Sequence, residues 1–146
     1  DRMADFLFFN KVKPAVNMIE CNAYFQREGE SRYLKEQHIL MQAWSPLAAG
    51  EEDLFTNEIL CEIAQKHDKS VAQIVLRWLV QRGIVPVVKS ANPVRMKENM
   101  DIFDFVLSEE EMKQIATLDT GHTYATARNT GKTVTEFLEK ANQYHV

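Results

Sequence analysis

No stretch of this chain approaches the roughly 18 consecutive apolar residues of a membrane-spanning helix. Its most apolar helical run, Val71–Val80, is broken by Gln73 and Arg77. Basic residues are not in excess. Seventeen Lys and Arg stand against 21 Asp and Glu, a formal net charge of -4, which argues against broad binding of nucleic acid or anionic membrane. Cysteine is scarce. Cys21 and Cys61 lie far apart and form neither a CxxC pair nor a disulfide framework, which suits a reducing cytoplasm. His38, His67, His122 and His145 make no HExxH or other metal-ligand spacing. There is no internal repeat and no low-complexity stretch. The opening DRMADFLFFNKVK lacks an apolar core followed by a small-residue cleavage site, so it reads as a helix rather than a signal peptide. What is left is 146 residues, 45% apolar and 26% charged, an ordinary globular composition about one domain long.

Within that length, short apolar runs alternate with helical patterns. Met3, Phe6 and Leu7 predict an amphipathic first helix that Pro14 stops. Ala15–Cys21 and Ile39–Ser45 are of strand length, separated by a charged helical stretch at 27–38. Leu54–His67 carries an apolar helical stripe through Ile59, Leu60, Ile63 and Ala64. Ser70-x-x-Gln73 is a capping box, and Gly83 is a natural stop for the helix it opens. Ile84–Val88 is a third strand run. Ser108-x-x-Glu111 and Thr133-x-x-Glu136 open two further helices. Strands separated by helices pair in parallel through right-handed crossovers. Their continuous apolar character predicts burial on both faces. Three strands leave two open edges, so either this is a small open α/β domain or it belongs to a larger closed sheet.

Residues 84–99, IVPVVKSANPVRMKEN, carry the strongest chemical signal. The apolar run ends in Lys89-Ser90. Asn92-Pro93 then opens a helix with Arg95, Glu98 and Asn99 on one side. A strand that hands over to a cation-lined helix N-terminus is how α/β proteins hold a phosphate. Lys89 offers a point charge and Arg95 a planar fork. The amides of the first helical turn point the same way, toward an anion. Glu98 and Asn99 share the face of Arg95. Taken alone, such a cluster reads as a solvated ion pair between Arg95 and Glu98.

From Lys13 to Asp119 the chain resembles the aldo-keto reductase family. The matching blocks are KPAVNMIECNAYFQ (13–26), AWSPLA (43–48), KSVAQIVLRWLVQRG (69–83), VVKSANPVRMKEN (87–99) and IFDFVLSEEEMKQIATLD (102–119). They are collinear and keep the family's spacing. The resemblance implies a (β/α)8 barrel, of which residues 1–146 are the C-terminal portion: strands six to eight with their helices, and the helix that follows strand five. A complete barrel of this kind takes roughly 250 residues.

By the same resemblance, the activity is reduction of an aldehyde or ketone by NADPH. Lys89 and Arg95 match positions that bind the adenosine 2′-phosphate, which reverses the ion-pair reading. Glu98 and Asn99 match positions that contact adenine, and Ser90 and Asn92 match loop positions beside the phosphate. Trp44 matches an aromatic that stacks on nicotinamide, and Ser45 and Leu47 would approach the pyrophosphate. Met18 stands where the family commonly has a glutamine bonded to the nicotinamide carboxamide, a bond a thioether cannot donate. The acids Glu51, Glu52 and Asp53 are expected to point to solvent, since they are unfavourable beside a phosphate.

The catalytic tyrosine, lysine, aspartate and histidine that the resemblance implies follow strands of the first half of the barrel. No such motif surrounds Tyr24, Tyr33, Tyr124 or Tyr144, and none of them is given a catalytic role. The chain is therefore expected to need the N-terminal half of the barrel, or a second copy, as partner. The alternatives are a half-barrel that stands alone as a nucleotide-binding or assembly module, and an interaction protein that keeps the fold without cofactor.

Overall fold

The computed structural model describes residues 2–50 and 53–123, with residues 132, 135 and 139. The helix expected at Thr133–Glu136 lies outside the described residues, as do Glu51 and Glu52. The elements run α1 (Arg2–Phe9), β1 (Val16–Glu20), α2 (Glu28–Glu36), β2 (Leu40–Trp44), α3 (Glu58–His67), α4 (Val71–Gln81), β3 (Val85–Pro86), α5 (Pro93–Met100) and α6 (Glu109–Ala116). The strands form one parallel sheet in the order β1-β2-β3.

Several boundaries fall inside the expected ones for local reasons. Helix α1 ends at Phe9, well before Pro14, because the Asn10 side chain donates to the Phe6 carbonyl at 2.8 Å and closes the last turn. Helix α3 begins only at Glu58, where Asn57 accepts from the Leu60 amide. Strand β3 is cut short by Pro86, which has no amide to give to the ladder. The Val87 amide resumes contact with the Ala43 carbonyl at 2.9 Å. The capping boxes at Ser70/Gln73 and Ser108/Glu111 form as expected. Gly83 takes a φ of 78° past the end of α4, a conformation that glycine adopts without a Cβ penalty.

Burial on both faces, as expected for the strands, is not observed. One face of the sheet packs its Met41 and Ala43 against helices. The core there is completed by Leu34, Leu60, Ile63, Ile74, Val75, Trp78, Leu79 and Ile115. The other face presents Val16, Met18, Leu40, Trp44, Val85 and Val87 to solvent. Both faces are apolar, and the described helices cover only one of them. Glu20 is the buried exception on the open face, and the Thr123 hydroxyl bonds to its carboxylate. The segment after α6 is tied down nearby: Thr120 donates to the Tyr24 carbonyl at 2.9 Å, and the Gln26 amide donates to Asp119 at 3.2 Å.

Polar side chains of α4 secure the connection from α5 to α6. Gln73 donates to the Asp101 carbonyl at 2.8 Å, and Arg77 to the Ile102 carbonyl at 3.2 Å. Gln81 donates to the Leu107 carbonyl at 3.0 Å and accepts from the Leu107 amide at 2.7 Å. At the start of the helix, Lys69 bridges Asp101 at 2.9 Å and Asp104 at 2.8 Å. The Asp104 bond raises the lysine above its ordinary range, and the same bond holds Asp104 below the usual aspartate range.

His67, at the end of α3, contacts both Glu111 oxygens at 3.1 Å. Burial opposes the charge on Glu111. The bonds it accepts from Ser108, together with its contact to His67, outweigh that and hold the carboxyl below its ordinary value. A depressed carboxyl contributes stability that is present above the ordinary glutamate range and lost as pH falls through the lowered value. The melting temperature, followed by circular dichroism, is expected to fall on acidification through and below that range. Glu111→Gln is expected to flatten the fall; an unchanged slope would show that Glu111 does not contribute to it.

Candidate functional site

The loop after β2, the first turn of α4, the end of the strand run at Lys89-Ser90 and helix α5 enclose one hollow of about 420 Å³. Leu47, Lys89, Ser90, Arg95, Glu98 and Asn99 all line it. These residues come from separate stretches of sequence, and the parallel crossover brings them to the same end of the sheet. Phe55, Ser70, Val71 and Ala72 also line it, four residues outside the set expected from the sequence. The Ser70 capping box could have pointed to the last three, since it marks a helix start whose first amides have no partner within the helix. No local pattern marks Phe55.

Lys89 and Arg95 carry the positive charge of this hollow. Among the described residues neither side chain has a hydrogen bond or ion pair. In particular, Arg95 makes no ion pair with Glu98, so the solvated-pair arrangement is not formed. Two neighbouring cations without counter-ions repel each other and favour an anion between them. The positive end of the α4 dipole adds to that field.

The α5 N-terminus differs from expectation. Asn92 is its cap: its side-chain oxygen accepts from the Val94 amide at 2.9 Å and from the Arg95 amide at 3.5 Å. Pro93 has no amide. The first-turn donors expected to face an anion are therefore engaged by Asn92, which itself is not part of the hollow's lining. Ser90 braces the same turn, accepting from the Asn92 amide at 3.1 Å.

Trp44 and Ser45 also lie outside the lining. Trp44 sits on the open face of β2, in register with Glu20, and is 36% exposed. Ser45 follows with a φ of 51°, and Ala48 and Ala49 take 50° and 56°. Left-handed conformations at residues other than glycine are uncommon and cluster at functional turns. Here Ser45 turns the chain out of β2 toward Leu47 at the hollow, and Ala48 and Ala49 turn it onward past Leu47. The Ser45 carbonyl accepts from the Ala48 amide at 3.0 Å.

Elsewhere, burial pushes the Cys21 thiol up to about 11 against the opposing effect of Arg82, so it is protonated and unreactive. Among the described residues no cluster of His, Cys, Asp and Glu could hold a metal ion, and no helix is long and apolar enough to cross a membrane.

A parallel sheet with crossover helices on one face and a cation-lined hollow at the strand ends is an α/β arrangement of the (β/α)8 kind. The family model for aldo/keto reductases matches residues 3–120. The chain belongs to the aldo/keto reductase family. It is 42% identical to aldose reductase B of Dictyostelium discoideum over 127 residues, covering 87% of this chain and 41% of that protein. It is 46% identical to glyoxal reductase of Bacillus subtilis over 109 residues, covering 75% of this chain and 39% of that protein. The chain thus spans about two fifths of the length of these relatives. Among solved structures, an aldo-keto reductase from a Medee basin deep-sea metagenome library superposes with a TM-score of 0.84 at 37% identity, over 88% of this chain and 47% of that one. A Bombyx mori aldo-keto reductase in complex with NADP superposes with a TM-score of 0.76 at 30% identity, over 82% of this chain and 42% of that one.

Removing the Asn92 cap separates its structural role from any role in binding. Asn92→Ala is expected to cost about 1 kcal/mol of stability, read as a lower urea midpoint, because two amides lose their acceptor. An unchanged midpoint would show that the cap does not hold α5.

Proposed function

We propose that this chain is the cofactor-binding portion of an NADPH-dependent reductase of aldehydes or ketones. One observation carries the reading: Lys89 and Arg95, neither in an ion pair among the described residues, line one hollow together with Glu98 and Asn99. A phosphate monoester on a nucleoside fits such a site in charge, and the carboxylate and amide of Glu98 and Asn99 suit the polar edge of a base. In support, a solved relative carries NADP, and other relatives are named as reductases of carbonyl compounds.

On this reading Lys89 and Arg95 hold the adenosine 2′-phosphate, and Glu98 and Asn99 contact the adenine. Ser90 and Asn92 keep the phosphate loop in shape. Ser45 and Leu47 lie along the pyrophosphate, and Trp44 offers its indole face to the nicotinamide. The cofactor supplies a hydride to the carbonyl carbon, and a proton must reach the carbonyl oxygen. No residue of this chain is assigned to that proton transfer. The catalytic groups belong to an N-terminal half of the barrel, and the chain alone is inactive. That half would also cover the exposed face of Val16, Met18, Leu40, Val85 and Val87. The two unpaired cysteines agree with a cytoplasmic setting.

A second reading follows from the same uncovered face and from the unpaired edges of β1 and β3: a second copy of the chain provides the cover. Sedimentation separates the two readings. A stable dimer supports the second copy, and a folded monomer removes it.

Binding tests the cofactor reading directly. By calorimetry, Arg95→Ala is expected to weaken NADPH by about 1–3 kcal/mol, the scale of a lost charge-assisted bond, and to leave NADH nearly unchanged. Equal loss for both would show that Arg95 does not read the phosphate.

A further inference from the structure

The open face of the sheet is apolar at nearly every position, with one neutral polar side chain set into it. Gln42 lies at the middle of the central strand, in register with Met18 on one side and Val85 on the other. It is half-buried, and among the described residues its amide has no hydrogen-bond partner. Three glutamines packed on the helix side behave differently. Gln26 donates to the carbonyls of Ala23 and Ile115, Gln73 to that of Asp101 and Gln81 to that of Leu107. Water reaches the Gln42 amide while this face is open, but once a ligand or partner covers the face, an amide in apolar surroundings is costly unless it is paired.

Position decides what could pair it. Successive side chains on one face of a strand are two residues apart, so Gln42 and Trp44 point the same way with about 6.6 Å between their backbones. A flat ring lying on the Trp44 indole therefore has its lower edge within reach of the Gln42 amide. Across the strand, Met18 is a polarizable thioether that packs against a ring but donates nothing. The Gln42 side chain offers one acceptor and two donor hydrogens from a single group. Its complement is a group with the same pair, another primary carboxamide.

We propose that Gln42 is a binding residue for the carboxamide of the nicotinamide ring, set beside the Trp44 platform on the open sheet face. This inference rests on the cofactor reading above and adds to it a residue that holds the reactive end rather than the adenosine end.

The test uses two ligands on the chain: NADPH, and adenosine 2′,5′-bisphosphate, which keeps the phosphate and base but has no nicotinamide. Gln42→Leu is expected to weaken NADPH by about three- to tenfold, the scale of one neutral hydrogen bond, and to leave the bisphosphate unchanged. Gln42→Glu keeps the shape, removes the donor and is expected to weaken NADPH in the same way. It therefore serves as the second variant if Gln42→Leu disturbs folding. The methyl ketone analogue, 3-acetylpyridine NADPH, lacks the amide hydrogens. Its deficit relative to NADPH is expected to shrink in Gln42→Leu, as for two groups that contact each other. Equal NADPH affinity in wild type and both variants, with the bisphosphate still bound, would overturn the role of Gln42 alone. Failure of wild type to bind the bisphosphate would overturn the cofactor reading and this inference with it.

Discussion

The polar stripe of α4 is the constraint on which the rest of the molecule depends. Gln73, Arg77 and Gln81 recur every four residues along one side of that helix. They bond to the carbonyls of Asp101, Ile102 and Leu107 in the segment that leaves α5. Each bond contributes on the order of 1 kcal/mol, but the set matters more for geometry than for stability. It fixes where the polypeptide goes after α5 and so sets the position of α5 against α4. The hollow lies between the first turn of α4 and the Arg95–Asn99 side of α5, so its shape is a by-product of the stripe. The Lys69 bridges to Asp101 and Asp104 close the same junction at its upper end.

Much of this was legible in the sequence wherever the controlling interaction is local. The Ser70 and Ser108 boxes place two helix starts because cap and partner are three residues apart. The period of Val71, Ile74, Val75, Trp78 and Leu79 places the buried side of α4 for the same reason. The Lys89–Asn99 cluster was legible because one short strand-to-helix passage supplies most of its residues. Phe55 joins them only through the crossover, which no local spacing reveals; the Ser70 box marks Ser70, Val71 and Ala72 as a helix start but not as neighbours of that cluster.

Other features depended on what lies across the fold. Gln73 and Arg77 look like interruptions in an apolar helix until the strap from 101 to 107 is in place. The strands look suited to burial on both sides, and the described helices cover one of them. The amides of α5 look free for an anion until the Asn92 side chain is seen to fold back over them. In each case the sequence displays the chemical capacity, and the tertiary arrangement selects which capacity is used.

That last arrangement has a consequence for adaptation. Had backbone amides of α5 done the gripping, any change of guest would have required rebuilding the helix. With those amides engaged internally, the proposed grip on an anion would rest on Lys89 and Arg95, two removable side chains on a frame that caps itself. On the proposed reading, exchanging surface groups one codon at a time would retune which dinucleotide is held, while the scaffold beneath keeps its shape.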